Sequence, residues 1–168
     1  MDNQYYKLRA LEPKDADRMY EMMQDPQTIR YLQIGGPDYT KDIALRFIGQ
    51  TADESKHVHR AVVNEKDVYQ GTISLKNIDR EKLDAEYAIS MHPEAQGKGA
   101  AKAATGLILE LAFRELGLKT VYLNVLEENQ RANRFYQKVG FRYTHTTTML
   151  FHGEEKVLNW YAAEQAAE

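Results

Sequence analysis

The chain has 168 residues, 43% of them hydrophobic and 28% charged, with a net charge of −3. That is the make-up of one globular domain spanning residues 1–168, large enough to bury roughly 70% of its unfolded surface without covalent staples. A basic face for nucleic acid is disfavoured, and the absence of cysteine removes disulfides, thiolate metal sites and a cysteine nucleophile together.

The predicted elements run as follows. Residues 5–11 form a short strand, with Leu8 and Ala10 alternating against Lys7 and Arg9. Glu12, Pro13, Lys14 and Asp15 open a helix whose Ala16, Met19, Tyr20 and Met23 make one apolar stripe. Residues 27–39 are irregular, broken at Gly35, Gly36 and Pro37. Thr40 caps a second helix reaching about residue 52, with Ile43, Ala44, Phe47 and Ile48 on one face. Residues 58–64 and 68–76 read as a strand hairpin, residues 78–83 as a charged loop, and residues 85–91 as the next strand of an antiparallel meander.

A helix follows over residues 100–116, with Ala104, Leu107, Ile108, Leu111 and Ala112 inward and Gly117 as its stop. Residues 120–126 form a strand that the strand–helix–strand order makes parallel to the one before. A last helix covers residues 130–139 and ends at Gly140. Residues 143–151 and 154–163 form a final hairpin about His152 and Gly153, and the tail from Glu164 is expected to fray. The fold class is therefore α/β (α+β), a mixed and mostly antiparallel sheet with one parallel pair. Residues 1–4 do not open a signal peptide, and no apolar run approaches ~18 residues, so the cytoplasm is the expected location. His57, His59, His92 and His152 lack ligand spacing, so no metal is expected.

The chemistry points to residues 84–116. A strand feeding a Gly-rich loop that opens a helix is a device for holding phosphate, because first-turn N–H groups lack partners and the helix dipole is positive there. The nucleoside-triphosphate loop does not fit any register from Gly97 or Gly99. The dinucleotide fingerprint fails at Lys102. What fits is Gln-x-x-Gly-x-Ala at Gln96, Gly99 and Ala101. One strand and one helix later stands Asn-x-x-Ala-x-x-x-Tyr-x-x-x-Gly-Phe, at Asn129, Ala132, Tyr136, Gly140 and Phe141. Taken alone, the second pattern is an amphipathic helix with an Asn cap and a Gly stop.

In this order and spacing the two patterns resemble the GNAT superfamily of N-acetyltransferases. The resemblance covers residues 5–163. Leu8 to Glu12 at the start, and Ala85, Glu86 and Tyr87 before the loop, look most like the branch of ribosomal-protein N-terminal and polyamine N-acetyltransferases. It implies acetyl-CoA as co-substrate, helices on both faces of the sheet, and splayed fourth and fifth strands that admit the pantetheine arm beside Ile89 and Met91. The N–H groups of Gln96, Gly97, Lys98, Gly99, Ala100 and Ala101 would cradle the pyrophosphate, with Lys98 or Lys102 adding charge. Tyr136 would protonate the departing thiolate, and Asn129 would bond the pantetheine, cap the helix, or both. Glu86 would act as general base or as an anchor for the substrate amine. Residues Glu21, Tyr31, Asp38 and Tyr39 would line an acceptor pocket, and His145 would border it. The acceptor expected is a small-molecule primary amine, a polyamine or amino sugar, taken in a ternary complex. A protein N-terminus is the alternative, and a non-catalytic acetyl-CoA sensor is the rival of another class. Homodimers built from the final hairpin are common in the family.

Overall fold

The computed structural model describes residues 5–32 and 35–166, so residues 1–4, part of the predicted irregular segment and the last two tail residues lie outside it. The chain opens with β1 (Lys7–Arg9), a 3-10 turn (Pro13–Asp15), α1 (Ala16–Gln24), the short α2 (Pro26–Ile29) and α3 (Lys41–Gln50). Then come β2 (Val58–Val63), β3 (Tyr69–Asp79), β4 (Asp84–Met91), α4 (Ala100–Glu110) and β5 (Thr120–Leu126). The chain ends in α5 (Gln130–Lys138), β6 (Arg142–Phe151) and β7 (Glu154–Glu164). The strands form one sheet in the order β1-β2-β3-β4-β5-β7-β6, antiparallel except for the β4–β5 pair.

Helices cover both faces of this sheet, and β2 shows why its second half, Ala61, Val62 and Val63, is continuously apolar. Val58 and Val62 feed one core, with Ile73, Leu75, Tyr87, Val121 and Leu123 packed under Ala104, Ile108 and Ala112 of α4. Ala61 and Val63 point the other way, to Ala16, Met19 and Met22 of α1 and Ala44 and Ile48 of α3. A strand buried on both sides cannot alternate apolar and polar residues. Thr40 caps α3 as expected, its hydroxyl accepting from Ile43 N at 3.2 Å. No helix among the described residues is long and apolar enough to cross a membrane.

Several local expectations are corrected. The helix after β4 keeps α geometry only to Glu110. Its last turn, Leu111–Glu115, is π-helical, with Leu116 N donating to Leu111 O. Leu107 is exposed, and Thr105 takes an inward position instead. Thr105 can be buried because its hydroxyl bonds Ala101 O and the Tyr87 hydroxyl, both at 2.7 Å. β3 runs on through Asp79, into the predicted loop. The tail is held further than expected: Gln165 donates from its backbone to Lys119 O and from its side chain to Phe113 O.

A charge cluster ties β1 to the β2–β3 turn. Arg9 makes two bonds of 2.8 Å to buried Asp15 and one of 2.7 Å to Asp67, which Lys14 also contacts. Hydrogen bonds from Lys14 and Arg9 hold Asp67 down at about 2. On β2, burial pushes His59 down to about 4, its Nδ1 lying 2.6 Å from Ser74 Oγ. Both shifts have the same sign. Each group binds its proton less readily folded than unfolded, so each contributes stability that falls as pH falls: His59 from about 6.5 towards 4, Asp67 from about 4 towards 2. Thermal melts across this range are expected to show a monotonic loss of Tm towards acid. His59→Gln flattens the upper part and Asp67→Asn the lower part; a wild-type Tm that is flat from pH 7 to 3 contradicts it.

Candidate active site

The site begins where the parallel pair ends. β4 and β5 pair at Asp84–Thr120, Ala85–Val121 and Glu86–Tyr122, while β5 stays paired with β7 all the way to Leu126. Above Glu86 the two strands diverge, and a continuous cleft of about 1100 Å³ occupies the gap.

The backbone parity of β4 follows from its two ends. Leu83 O accepts from Lys119 N and Thr120 N on the β5 side, and His92 N donates to Gln70 O on the β3 side. With a period of two, the peptide groups of Tyr87, Ile89 and Met91 face the cleft, and those of Ala88 and Ser90 face β3. Ile89 and Met91 therefore offer strand N–H and C=O groups along an open edge, ready to pair with an extended ligand. Gly71 lies opposite Met91 and admits no side chain: a Cβ there would stand 2.4 Å from Ser90 O and 2.6 Å from Met91 Sδ. The cleft rim is thus set by close backbone packing of β3 on β4.

At one end of the cleft, a 3-10 turn (Pro93–Ala95) leads to α4. The turn is pinned to α1. His92 Nδ1 accepts from Glu94 N, which leaves its ring proton on Nε2, 2.9 Å from Glu21 Oε1. Arg18 bonds Glu94 at 2.7 Å and Tyr69 O at 3.0 Å. Gly97 and Gly99 adopt φ of +78° and +82°, and nothing lies within 4 Å of where either Cβ would be. The result is a concave run of N–H groups at a helix N-terminus, facing open space. Gln96, Gly97, Gly99, Ala100, Ala101 and Lys102 line the cleft here. Lys98 does not line it; its carbonyl accepts from Tyr6 Oη at 3.3 Å.

Tyr136 stands on the cleft wall, with its ring packed edge-on against Tyr87, Phe135 and Phe141 at centroid distances of 5.4 to 5.8 Å. Among the described residues its hydroxyl has no protein hydrogen-bond partner and no buried side-chain oxygen or nitrogen lacks one, so this hydroxyl opens onto the cleft. Burial pushes its pKa up to about 12. Asn129 also lines the cleft and caps α5, with Oδ1 accepting from Ala132 N at 3.2 Å.

Glu86 sits at the fork where β4 leaves β5, accepting from Asn77 Nδ2 at 3.2 Å. The far end of the cleft is walled by Tyr31, Met149, Phe151 and Leu158. Arg30 covers the Tyr31 ring at 5.0 Å, and Glu128 pairs with Lys156 at 2.9 Å. The other acceptor-pocket expectations change. Tyr39 is buried in the α1–α3 core, Glu21 is engaged by His92, and Asp38 does not line the cleft. His145 stacks on Trp160 on the exposed β6, away from the cleft wall. Among the described residues no group of three His, Asp or Glu side chains could hold a metal ion.

Sequence reading missed Asn133. It is buried in α5, donates to Leu126 O, Glu127 O and Asn129 O, and accepts from Asn159 Nδ2 and Tyr161 Oη. A polar residue on the inner face of an amphipathic helix was the available signal.

Residues 6–142 match the family model described as Acetyltransferase (GNAT) domain. The chain belongs to the GNAT acetyltransferase family. It is an acetyl-CoA-dependent N-acetyltransferase. It is 31% identical over 140 residues to the spermidine N(1)-acetyltransferase of Escherichia coli K12, covering 80% of this chain and 72% of that relative. It is 28% identical over 146 residues to the putative ribosomal N-acetyltransferase YdaF of Bacillus subtilis, covering 83% of this chain and 79% of that one. Its fold matches the crystal structure of spermidine N-acetyltransferase from Vibrio cholerae in complex with CoA and spermine, with a TM-score of 0.84, 23% identity and 95% of each chain covered.

For a GNAT enzyme the glycine cradle is a sensitive point. Gly99→Val forces a β-branched residue into the left-handed region and sends its methyl groups into the open concavity. The expected result is a rise of about tenfold in KM for acetyl-CoA, against less than about twofold for Lys98→Ala, whose side chain is off the cleft wall. Initial-rate kinetics with acetyl-CoA varied test it, and equal effects from the two variants would refute it.

Proposed function

We propose that this enzyme passes the acetyl group directly from acetyl-CoA to a primary amine of a small molecule, with polyamines as the favoured class, in a ternary complex. The observation that carries the reading is the continuous cleft. One end presents the glycine cradle, the middle presents the free β4 edge and the Tyr136 hydroxyl, and the fork holds Glu86. A chain without cysteine offers no thiol for a covalent acyl relay, which favours direct transfer. Two relatives named for spermidine acetylation favour the polyamine class over amino sugars and protein N-termini.

Acetyl-CoA supplies an activated thioester. The N–H groups of Gln96 to Ala101 bind its pyrophosphate, assisted by Lys102. Ile89 and Met91 pair with the pantetheine amides, and a β4 N–H polarises the acetyl carbonyl. Tyr136 donates to the sulfur as negative charge develops there. Glu86 receives the acceptor amine, as an ammonium anchor or as the base that removes its proton.

A thiol-release assay against spermidine, spermine, amino sugars and N-terminal peptides tests this. The expected result is turnover with polyamines, at kcat/KM at least about tenfold above the other classes. Preference for peptides would move the assignment to protein N-terminal acetylation, and preference for amino sugars would overturn the polyamine reading.

A further inference from the structure

We propose that Asn77 is a positioning residue that holds the Glu86 carboxylate in place for the acceptor amine. The inference rests on the reading of Glu86 as the group that receives that amine.

The register of β3 on β4 shifts between Lys76 and Asp79, so β3 carries an extra residue opposite the fork. Asn77 sits in this bulge with φ of +52°. The other described non-glycine residues with positive φ, Asp67, Leu83 and His152, lie in turns between strands; Asn77 lies inside one. Bulges of this kind re-aim a side chain, and a left-handed residue within a strand persists only where its surroundings hold it. Here the segment before β2 holds it. Asn77 N donates to His57 Nδ1 at 3.0 Å, and Ile78 N donates to Lys56 O at 2.9 Å. Both N–H groups displaced from the ladder therefore have partners.

The consequence falls on Glu86. Asn77 Nδ2 donates to Oε1 at 3.2 Å, and Oε2 is left for another partner. A single N–H donor fixes the orientation of the carboxylate. Asparagine meets both demands at this position. Glycine tolerates the left-handed conformation but has no donor. Aspartate tolerates it too but would set a second carboxylate beside Glu86. Lys76, cross-strand from Glu86 on β3, and Tyr122, beside it on β5, also flank the fork, with Asp79 and Asp84 close to Tyr122.

The test compares wild type, Asn77→Gly, Asn77→Asp, Glu86→Gln and the double variant Asn77→Gly/Glu86→Gln, with spermidine and acetyl-CoA each varied. Asn77→Gly is expected to raise KM for spermidine about fivefold with KM for acetyl-CoA unchanged, and Asn77→Asp to raise it further. In the Glu86→Gln background, Asn77→Gly is expected to add nothing, because the two residues act through one interaction. A parallel rise in both KM values, or additive losses in the double variant, would show a general structural role and overturn the inference. So would wild-type kinetics in Asn77→Gly beside an impaired Glu86→Gln. Wild-type kinetics in Glu86→Gln would sink the underlying reading of Glu86, and the inference with it. If spermidine is not an acceptor, the polyamine reading alone fails, and the same five proteins are compared with the best amine of the panel.

Discussion

Tyr136→Phe is expected to lower kcat about 10- to 100-fold while leaving Tm within about 1 °C of wild type. The size follows from the loss of a hydrogen bond to a charged partner, on the order of 1.5–3 kcal/mol. The small effect on stability follows from the structure: the Tyr136 hydroxyl bonds no other protein group among the described residues, and its ring contacts survive in Phe. Burial raises the phenol to about 12, so it is protonated at any working pH. A free thiol titrates near ~8.5, and full proton transfer from a phenol at about 12 would be uphill if the sulfur were in water. The sulfur would lie in the same low-polarity site, where its thiolate is destabilised for the same reason. In the proposed mechanism Tyr136 therefore acts first as a donor to developing negative charge, and passes its proton only as the thiolate forms. Acetyl-CoA affinity, measured by calorimetry, is expected to change less than about threefold, since a neutral thioester sulfur is a weak acceptor. A loss in affinity with kcat unchanged would place Tyr136 in ground-state binding instead.

The parts of this enzyme legible in the sequence share one property: their physics is local. The glycines at 97 and 99 are needed by their own φ angles, and Asn129 caps the helix that it begins. The order of strands and helices follows from periodicity and breakers, and the parallel β4–β5 pair from the crossover between them. The acceptor end behaved differently. Tyr39 and Glu21 have suitable chemistry and sit in the right part of the chain, yet one is buried in a core and the other is bonded to His92. Their fates are decided by residues 9 to 71 positions away, such as Ile48 and His92, and no local pattern encodes that. Thr105 illustrates the same limit. Its inward position depends on the Tyr87 hydroxyl across the core, and periodicity alone favoured Leu107. The bulge at Asn77 was also hidden, because an extra strand residue is visible only against its partner strand.

Asn133→Ala is expected to be the most destabilising polar-to-alanine change in the enzyme, and to lower activity with it. Asn133 Nδ2 lies 2.8 Å from Asn129 O and 3.1 Å from Leu126 O, and Oδ1 accepts at 3.0 Å from Asn159 Nδ2 and at 2.8 Å from Tyr161 Oη. One side chain thereby ties the end of β5, the turn into α5, and β7. Removing it strands several buried polar groups at once, at about 1–3 kcal/mol for each that water cannot reach. A net loss of about 2–4 kcal/mol corresponds to a fall of roughly 5–15 °C in Tm for a chain of this size. Asn129→Ala makes the contrast. It removes one capping bond, whose donor lies beside the open cleft, and is expected to cost about 1 kcal/mol. Asn133→Asp is expected to be at least as harmful as alanine, since a carboxylate would then face three backbone carbonyls. Activity is expected to follow because Tyr136 stands one helical turn beyond Asn133, and the role proposed for its hydroxyl, meeting a sulfur within hydrogen-bond reach, tolerates little drift of its helix. Calorimetric melts of the three variants, beside kcat measured well below each Tm, test the argument. A Tm loss in Asn133→Ala no larger than that of Asn129→Ala would mean that water satisfies the network, and that α5 is held in place by its apolar face alone.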